Sequence, residues 1–104
     1  TPFTALQIEY SLIERTPEGD LLPMAKALDI AVTPWAPLAG GLLTGKYTAE
    51  AKPHTDIKEG ERAQRLLPGQ GRLDEKNLAI ARVVDDVAKD VGVSASQVAI
   101  AWLL

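Results

Sequence analysis

The 104-residue chain has no cysteine and a single histidine, His54. The first absence excludes disulfides and thiolate metal sites, and the second leaves no histidine cluster for zinc or haem. A basic excess is missing too: the formal net charge is −3, which argues against a nucleic-acid partner. No apolar run approaches the length of a membrane span and no signal peptide opens the sequence, so a cytoplasmic protein without membrane contact is expected. Hydrolytic chemistry is poorly supplied. There is no nucleophile elbow, His54 has no serine or carboxylate at an informative spacing, and Glu9, which could line an active-site mouth, is one carboxylate and does not by itself make an acid–base pair. An initiator methionine is absent before Thr1, and Leu104 falls in mid-pattern of an apolar helix. Both ends lead to the expectation of a piece of a longer polypeptide.

What is present has the balance of a small globular domain, 46% hydrophobic and 24% charged. Leu6, Ile8, Tyr10 and Leu12 alternate with Ala5, Gln7, Glu9 and Ser11, which predicts a strand over residues 4–12. Its polar set faces either water or the mouth of a closed barrel. Thr16-Pro17-Glu18 reads as a helix start, with Thr16 as N-cap, and the helix should end near Asp29 after turning Leu21, Leu22, Ala25 and Leu28 inward. Residues 30–35 give a second strand. Strand, helix and strand within about 30 residues form a βαβ unit, hence parallel pairing.

Glycines 40, 41 and 45 punctuate the segment after that strand, and Lys46 adds a cation. Glycines let backbone approach a ligand, and Leu42-Leu43-Thr44 is expected to make one helical turn facing it. The spacing matches neither a Walker A loop nor the Rossmann glycine fingerprint. A phosphate loop and a tight strand-to-helix connection with an exposed lysine both remain open on spacing alone. A long irregular loop follows over about residues 48–72, broken by Pro53, Gly60, Pro68, Gly69 and Gly71. It carries His54, Arg62 and Arg65, which read as solvated. A long amphipathic helix then begins at Arg72 or Asp74, with Leu78, Ala81, Val84 (or Val83), Val87, Ala88 and Val91 on one face and Gly92 as its C-terminal cap. Ser94-Ala95-Ser96-Gln97 is a capping-box pattern opening a last helix, in which Trp102 is expected in the core.

Gln7-Ile8-Glu9-Tyr10-Ser11-Leu12, Arg15, the run from Trp35 to Tyr47, and Gln97 to Leu104 together resemble the aldo/keto reductase superfamily, most closely its bacterial-type members and the related potassium-channel β-subunits. The resemblance implies an α/β fold, part of a (β/α)8 TIM barrel with about two parallel strands and three main helices, and residues 1–104 as one partial barrel domain. It implies NADPH as cofactor and an aldehyde or ketone as substrate. Gln7 matches the glutamine that holds the nicotinamide carboxamide, and Trp35 the aromatic that stacks on the nicotinamide. Ala36, Pro37, Leu38, Gly40, Gly41 and Lys46 match the loop around the pyrophosphate. Ala36 departs from the family's usual serine, so one side-chain hydrogen bond to phosphate is expected to be missing. The family's catalytic Asp, Tyr, Lys and His belong to the first half of the barrel, so no catalytic residue is assigned here and the chain alone is expected to be inactive. Two alternatives remain: a non-catalytic nucleotide sensor resembling the channel subunits, and a chain that folds through self-association.

Overall fold

The computed structural model describes residues 1–48 and 74–104. The expectations for the loop over about residues 48–72, with His54, Arg62 and Arg65, lie almost wholly outside the described residues. Strand β1 (Ala5–Glu9) and strand β2 (Ala31–Trp35) flank helix α1 (Leu21–Ala27); helices α2 (Glu75–Val91) and α3 (Ala95–Leu103) close the chain. The two strands pair in parallel, with Gln7 opposite Thr33 and Glu9 opposite Trp35.

β1 is shorter than its alternation predicts. After Glu9 the chain turns, and Ser11 and Glu14 exchange backbone hydrogen bonds at 3.2 and 3.1 Å. Ser11 Oγ accepts from the amides of Ile13 and Glu14, and this serine is fully buried inside the turn. A buried hydroxyl surrounded by local amides costs little, because its lone pairs are used.

The first helix is also split. Thr16–Glu18 form a 3₁₀ turn, and α1 starts only at Leu21. The Thr16 hydroxyl donates to Glu14 Oε1 at 2.6 Å and caps no helical amide. Pro23 explains the restart. In a continuous helix from Thr16 its ring would clash with the preceding turn, whereas in the first turn of α1 its missing N–H is one that would go unpaired anyway. α1 ends in a Schellman motif with Asp29 left-handed (φ 53°): Ile30 N–H donates to Ala25 O at 2.8 Å and Asp29 N–H to Lys26 O at 3.4 Å. Ala25 is buried, but Leu21 is exposed and Leu28 is 62% exposed, against the inward placing expected of them.

The capping signals of the second half read true. Asp74 accepts from Asn77 N–H at 2.7 Å, Gly92 (φ 80°) ends α2, and Ser94 and Gln97 form a reciprocal capping box. The core lies between α2, α3 and the glycine segment. Leu42 and Leu43 are buried there against Leu78, Ala81, Val84 and Ala99. Val87 and Val91, expected on the buried face of α2, are exposed. Trp102 is 38% exposed and not in that core.

Candidate functional site

The parallel register sorts the strand residues onto two faces, because successive side chains alternate. Ile8 is buried, with Leu6, Val32 and Pro34 half-buried beside it; Gln7, Thr33 and Trp35 are exposed on the other face. Trp35, 48% exposed, ends β2 opposite Glu9, two register positions beyond the Gln7–Thr33 pair and so on the same face. Two of the residues singled out in the sequence are therefore brought together. An amide at the middle of β1 and an indole at the C-terminal end of β2 share one sheet face, and α/β folds place ligands beyond the C-terminal ends of their parallel strands.

From Trp35 the chain enters the glycine segment through an unusual backbone. Ala36 and Ala39 are left-handed (φ 53° and 51°), as are Gly40 (67°), Gly41 (102°) and Gly45 (88°). A left-handed alanine costs about 1 kcal/mol, so surrounding packing must hold both in place. It does: Ala39 is fully buried and the following Leu42 and Leu43 anchor the segment in the core. The expected single turn at Leu42–Thr44 is instead a kinked 3₁₀ stretch over Ala39–Thr44. The amides of Ala39, Gly41 and Leu43 are already donated, to Ala36 O, Leu38 O and Leu38 O. Thr44 Oγ1 donates to Gly41 O at 2.6 Å.

Lys46 folds back over this bend. Its Cε and Nζ lie 3.1 and 3.3 Å from where a Cβ on Gly41 would stand, and Nζ is 5.0 Å from the Tyr47 ring centroid. Gly41 thus does more than permit a positive φ: it leaves the room that Lys46 occupies. Pro37 and Leu38 are half-buried between the strand end and the bend. The Tyr47 hydroxyl is buried and has no hydrogen-bond partner among the described residues. An exposed amide, an exposed indole and a cation over a backbone bend can offer a ligand a hydrogen-bonding pair, a flat apolar face and a positive charge.

Sequence reasoning missed two polar residues behind the loop. Thr48 Oγ1 donates to Asp85 Oδ2 on α2. Nothing local signals a contact between residues so distant in sequence, and Asp85 reads as part of the solvated face of its helix. A second cluster sits at the end of β1, where Tyr10 Oη donates to Glu18 Oε1 at 2.7 Å and Arg15 Nε donates to both Glu18 oxygens at 3.0 Å. Trp102 stacks there, 5.3 Å from the Tyr10 ring and 5.4 Å from the Arg15 guanidinium. Among the described residues, no group of three or more His, Cys, Asp or Glu is placed to hold a metal, and no helix is long and apolar enough to cross a membrane.

Comparison with known proteins agrees with this arrangement. The description of the Aldo/keto reductase family matches residues 1–104. An uncharacterised oxidoreductase of Bacillus subtilis is 38% identical over 98 residues, covering 94% of this chain and 27% of that protein. An aryl-alcohol dehydrogenase (NADP+) of Phanerodontia chrysosporium is 31% identical over 106 residues, covering all of this chain and 26% of its own length. The structure of the glycerol dehydrogenase of Gluconobacter oxydans superposes with a TM-score of 0.71 at 29% identity, over 99% of this chain and 30% of that one. The chain thus spans between a quarter and a third of the length of these relatives. With the family matched from end to end and two parallel strands and their helices superposing on a reductase barrel, the chain belongs to the aldo/keto reductase family and forms part of its (β/α)8 barrel.

Proposed function

We propose that this chain is the cofactor-holding segment of an NADPH-dependent carbonyl reductase. The observation that carries the reading is the shared sheet face of Gln7 and Trp35, continued into a bend over which Lys46 lies. When bound, NADPH supplies a hydride from its nicotinamide to the carbonyl carbon of an aldehyde or ketone. Gln7 offers the carboxamide a donor and an acceptor from one side chain. Trp35 offers a broad apolar face that holds the nicotinamide ring in one orientation. Lys46 places a positive charge at the pyrophosphate, with Pro37, Leu38 and Gly40 forming the wall of the loop. Because three amides of the bend are spent internally, the charge of Lys46 carries more of the phosphate binding than a fully open amide nest would require. Ala36 contributes no hydroxyl, which forgoes one hydrogen bond worth about 1 kcal/mol. The NADP+ named for the aryl-alcohol dehydrogenase supports the cofactor.

None of the residues described here is a general acid for the developing alkoxide, and that proton comes from elsewhere in the barrel. Two measurements test the reading. In the protein, titration with NADPH quenches tryptophan fluorescence, and Trp35→Ala and Lys46→Ala each weaken binding about tenfold, the loss of one good contact. The 104-residue chain on its own oxidises no NADPH with a reactive aldehyde. Turnover above a protein-free control overturns the division of labour, and undiminished binding by both variants overturns the site. Tight NADPH binding without turnover by the full protein favours the sensor alternative.

A further inference from the structure

The glycine loop is held in two different ways along its length. Its first half is fixed by apolar burial, through Ala39, Leu42 and Leu43. Its second half has only the partly buried Tyr47 against the core, and Lys46 itself is exposed. What fixes that half is polar and comes from α2. Asp85 Oδ2 accepts from Thr48 Oγ1 on one side of Lys46. On the other side, Asp85 Oδ1 lies 3.1 Å from the place a Cβ on Gly45 would take, with Ala95 Cβ closing the same space at 3.7 Å. One carboxylate therefore holds Thr48 and stands against the open side of Gly45, the two residues that bracket the Lys46–Tyr47 pair. Thr48 Oγ1 also lies 3.0 Å from Gly45 O, which draws the bracket closed on itself. A hydroxyl has one proton, and the carboxylate is the stronger acceptor for it.

The geometry points to Asp85 as a positioning residue for Lys46: a latch from helix α2 that sets where the cofactor-facing cation stands. It rests on the reading of Lys46 as the pyrophosphate contact. Asp85 touches neither cofactor nor substrate, and acts by removing the freedom of the two hinge points, Gly45 and Thr48. A latch of this kind raises affinity by ordering the loop before the ligand arrives, so binding does not bear that cost.

The test separates positioning from simple structural damage. NADPH affinity is measured for the wild-type protein, Asp85→Ala, Asp85→Asn, Lys46→Ala and the Lys46→Ala/Asp85→Ala double variant. Asp85→Ala is expected to raise Kd about tenfold, as loss of a charge-assisted hydrogen bond does. Asp85→Asn retains an acceptor for Thr48 and stays within about twofold of wild type. In the Lys46→Ala background, removal of Asp85 changes Kd by less than about twofold, because a residue acting through Lys46 has nothing left to position. Additive losses in the double variant overturn the proposal, and so does an Asp85→Asn defect as large as that of alanine. Amide hydrogen exchange over residues 45–48 is read without cofactor. Faster exchange in Asp85→Ala is expected and unchanged exchange overturns the latch. If the wild-type protein binds no NADPH, the functional reading fails, while the exchange still decides the latch.

Discussion

At the scale of single residues, the cluster at the end of β1 sets a pH dependence. Arg15, hydrogen-bonded through its guanidinium, and then Tyr10, donating its hydroxyl, hold the Glu18 carboxyl below its ordinary value. Burial, and then the Glu18 contact, push the Tyr10 hydroxyl above its own. A depressed carboxyl stabilises the fold above its unfolded pKa, and that contribution disappears as pH falls through the lower, folded value. A raised tyrosine works in the opposite sense: its contribution is present below its unfolded value, about 10, and is lost as pH rises through the folded one. The thermal midpoint of the wild-type protein is therefore expected to fall more steeply below pH about 4.5 than that of Glu18→Gln, measured by circular dichroism across the acid range. The gap should narrow in high salt, since the Arg15 and Glu18 side chains are 57% and 35% exposed and screened accordingly. Equal acid slopes in the two proteins would show that the cluster contributes nothing. Trp102 belongs to the same story. Its apolar sequence neighbours suggest a core residue, but Arg15 covers one face and Tyr10 meets it at 50°, an arrangement that leaves an edge in water.

At the scale of elements, glycine positions separate backbone from packing. Gly92 and Gly45 are both left-handed, yet a Cβ at Gly92 meets nothing within 4 Å while one at Gly45 meets Asp85 and Ala95. Gly92→Ala is expected to cost about 1 kcal/mol of stability, the conformational term alone. Gly45→Ala should cost about 2 kcal/mol, because the Asp85 latch must also shift. Chemical denaturation of the two variants checks the order, and equal losses would mean that the space behind Gly45 is not tight. These caps also show what could be read in advance. Gly92 and the Ser94–Gln97 box were legible because each acts within four residues of chain, whereas the start of α2 was open between Arg72 and Asp74. The parallel pairing of β1 and β2 was legible from the βαβ spacing, which admits little else. The split at Gly19–Asp20 was not, since the first-turn signals of Thr16-Pro17 and the placement of Pro23 compete and only the assembled chain decides between them. The Thr48–Asp85 contact was illegible for a different reason: it joins segments whose approach depends on how α2 packs on the glycine loop.

At the scale of the whole chain, the described residues bury a core on one side and leave a sheet nearly bare on the other. A two-stranded sheet is marginal by itself, and each strand here has one unpaired edge among the described residues. The edges differ. Ala31 N–H donates to Thr4 O and Tyr10 N–H to Trp35 O, so on β2 the even residues point their backbone groups outward. Pro34 is one of them and has no N–H to offer, which blunts that edge. On β1 the outward groups belong to the odd residues, beginning with Ala5, and no proline interrupts them. A groove of about 500 Å³ also opens between the strands and α3, lined by Val32, Pro34, Pro37, Ile100 and Leu103 among others. In a closed barrel, neighbouring strands and helices cover such surfaces; among the described residues of the 104-residue chain nothing pairs with the open edges, which leaves them to another copy. Light scattering on the isolated chain is therefore expected to give masses above the 11.1 kDa of one copy, rising with concentration. Ala5→Pro, which removes an outward donor from the open edge of β1, should shift the distribution toward the single copy. A concentration-independent monomer would show that the chain covers its own edge and groove. An unchanged distribution for Ala5→Pro would move the contact from the β1 edge to the apolar groove.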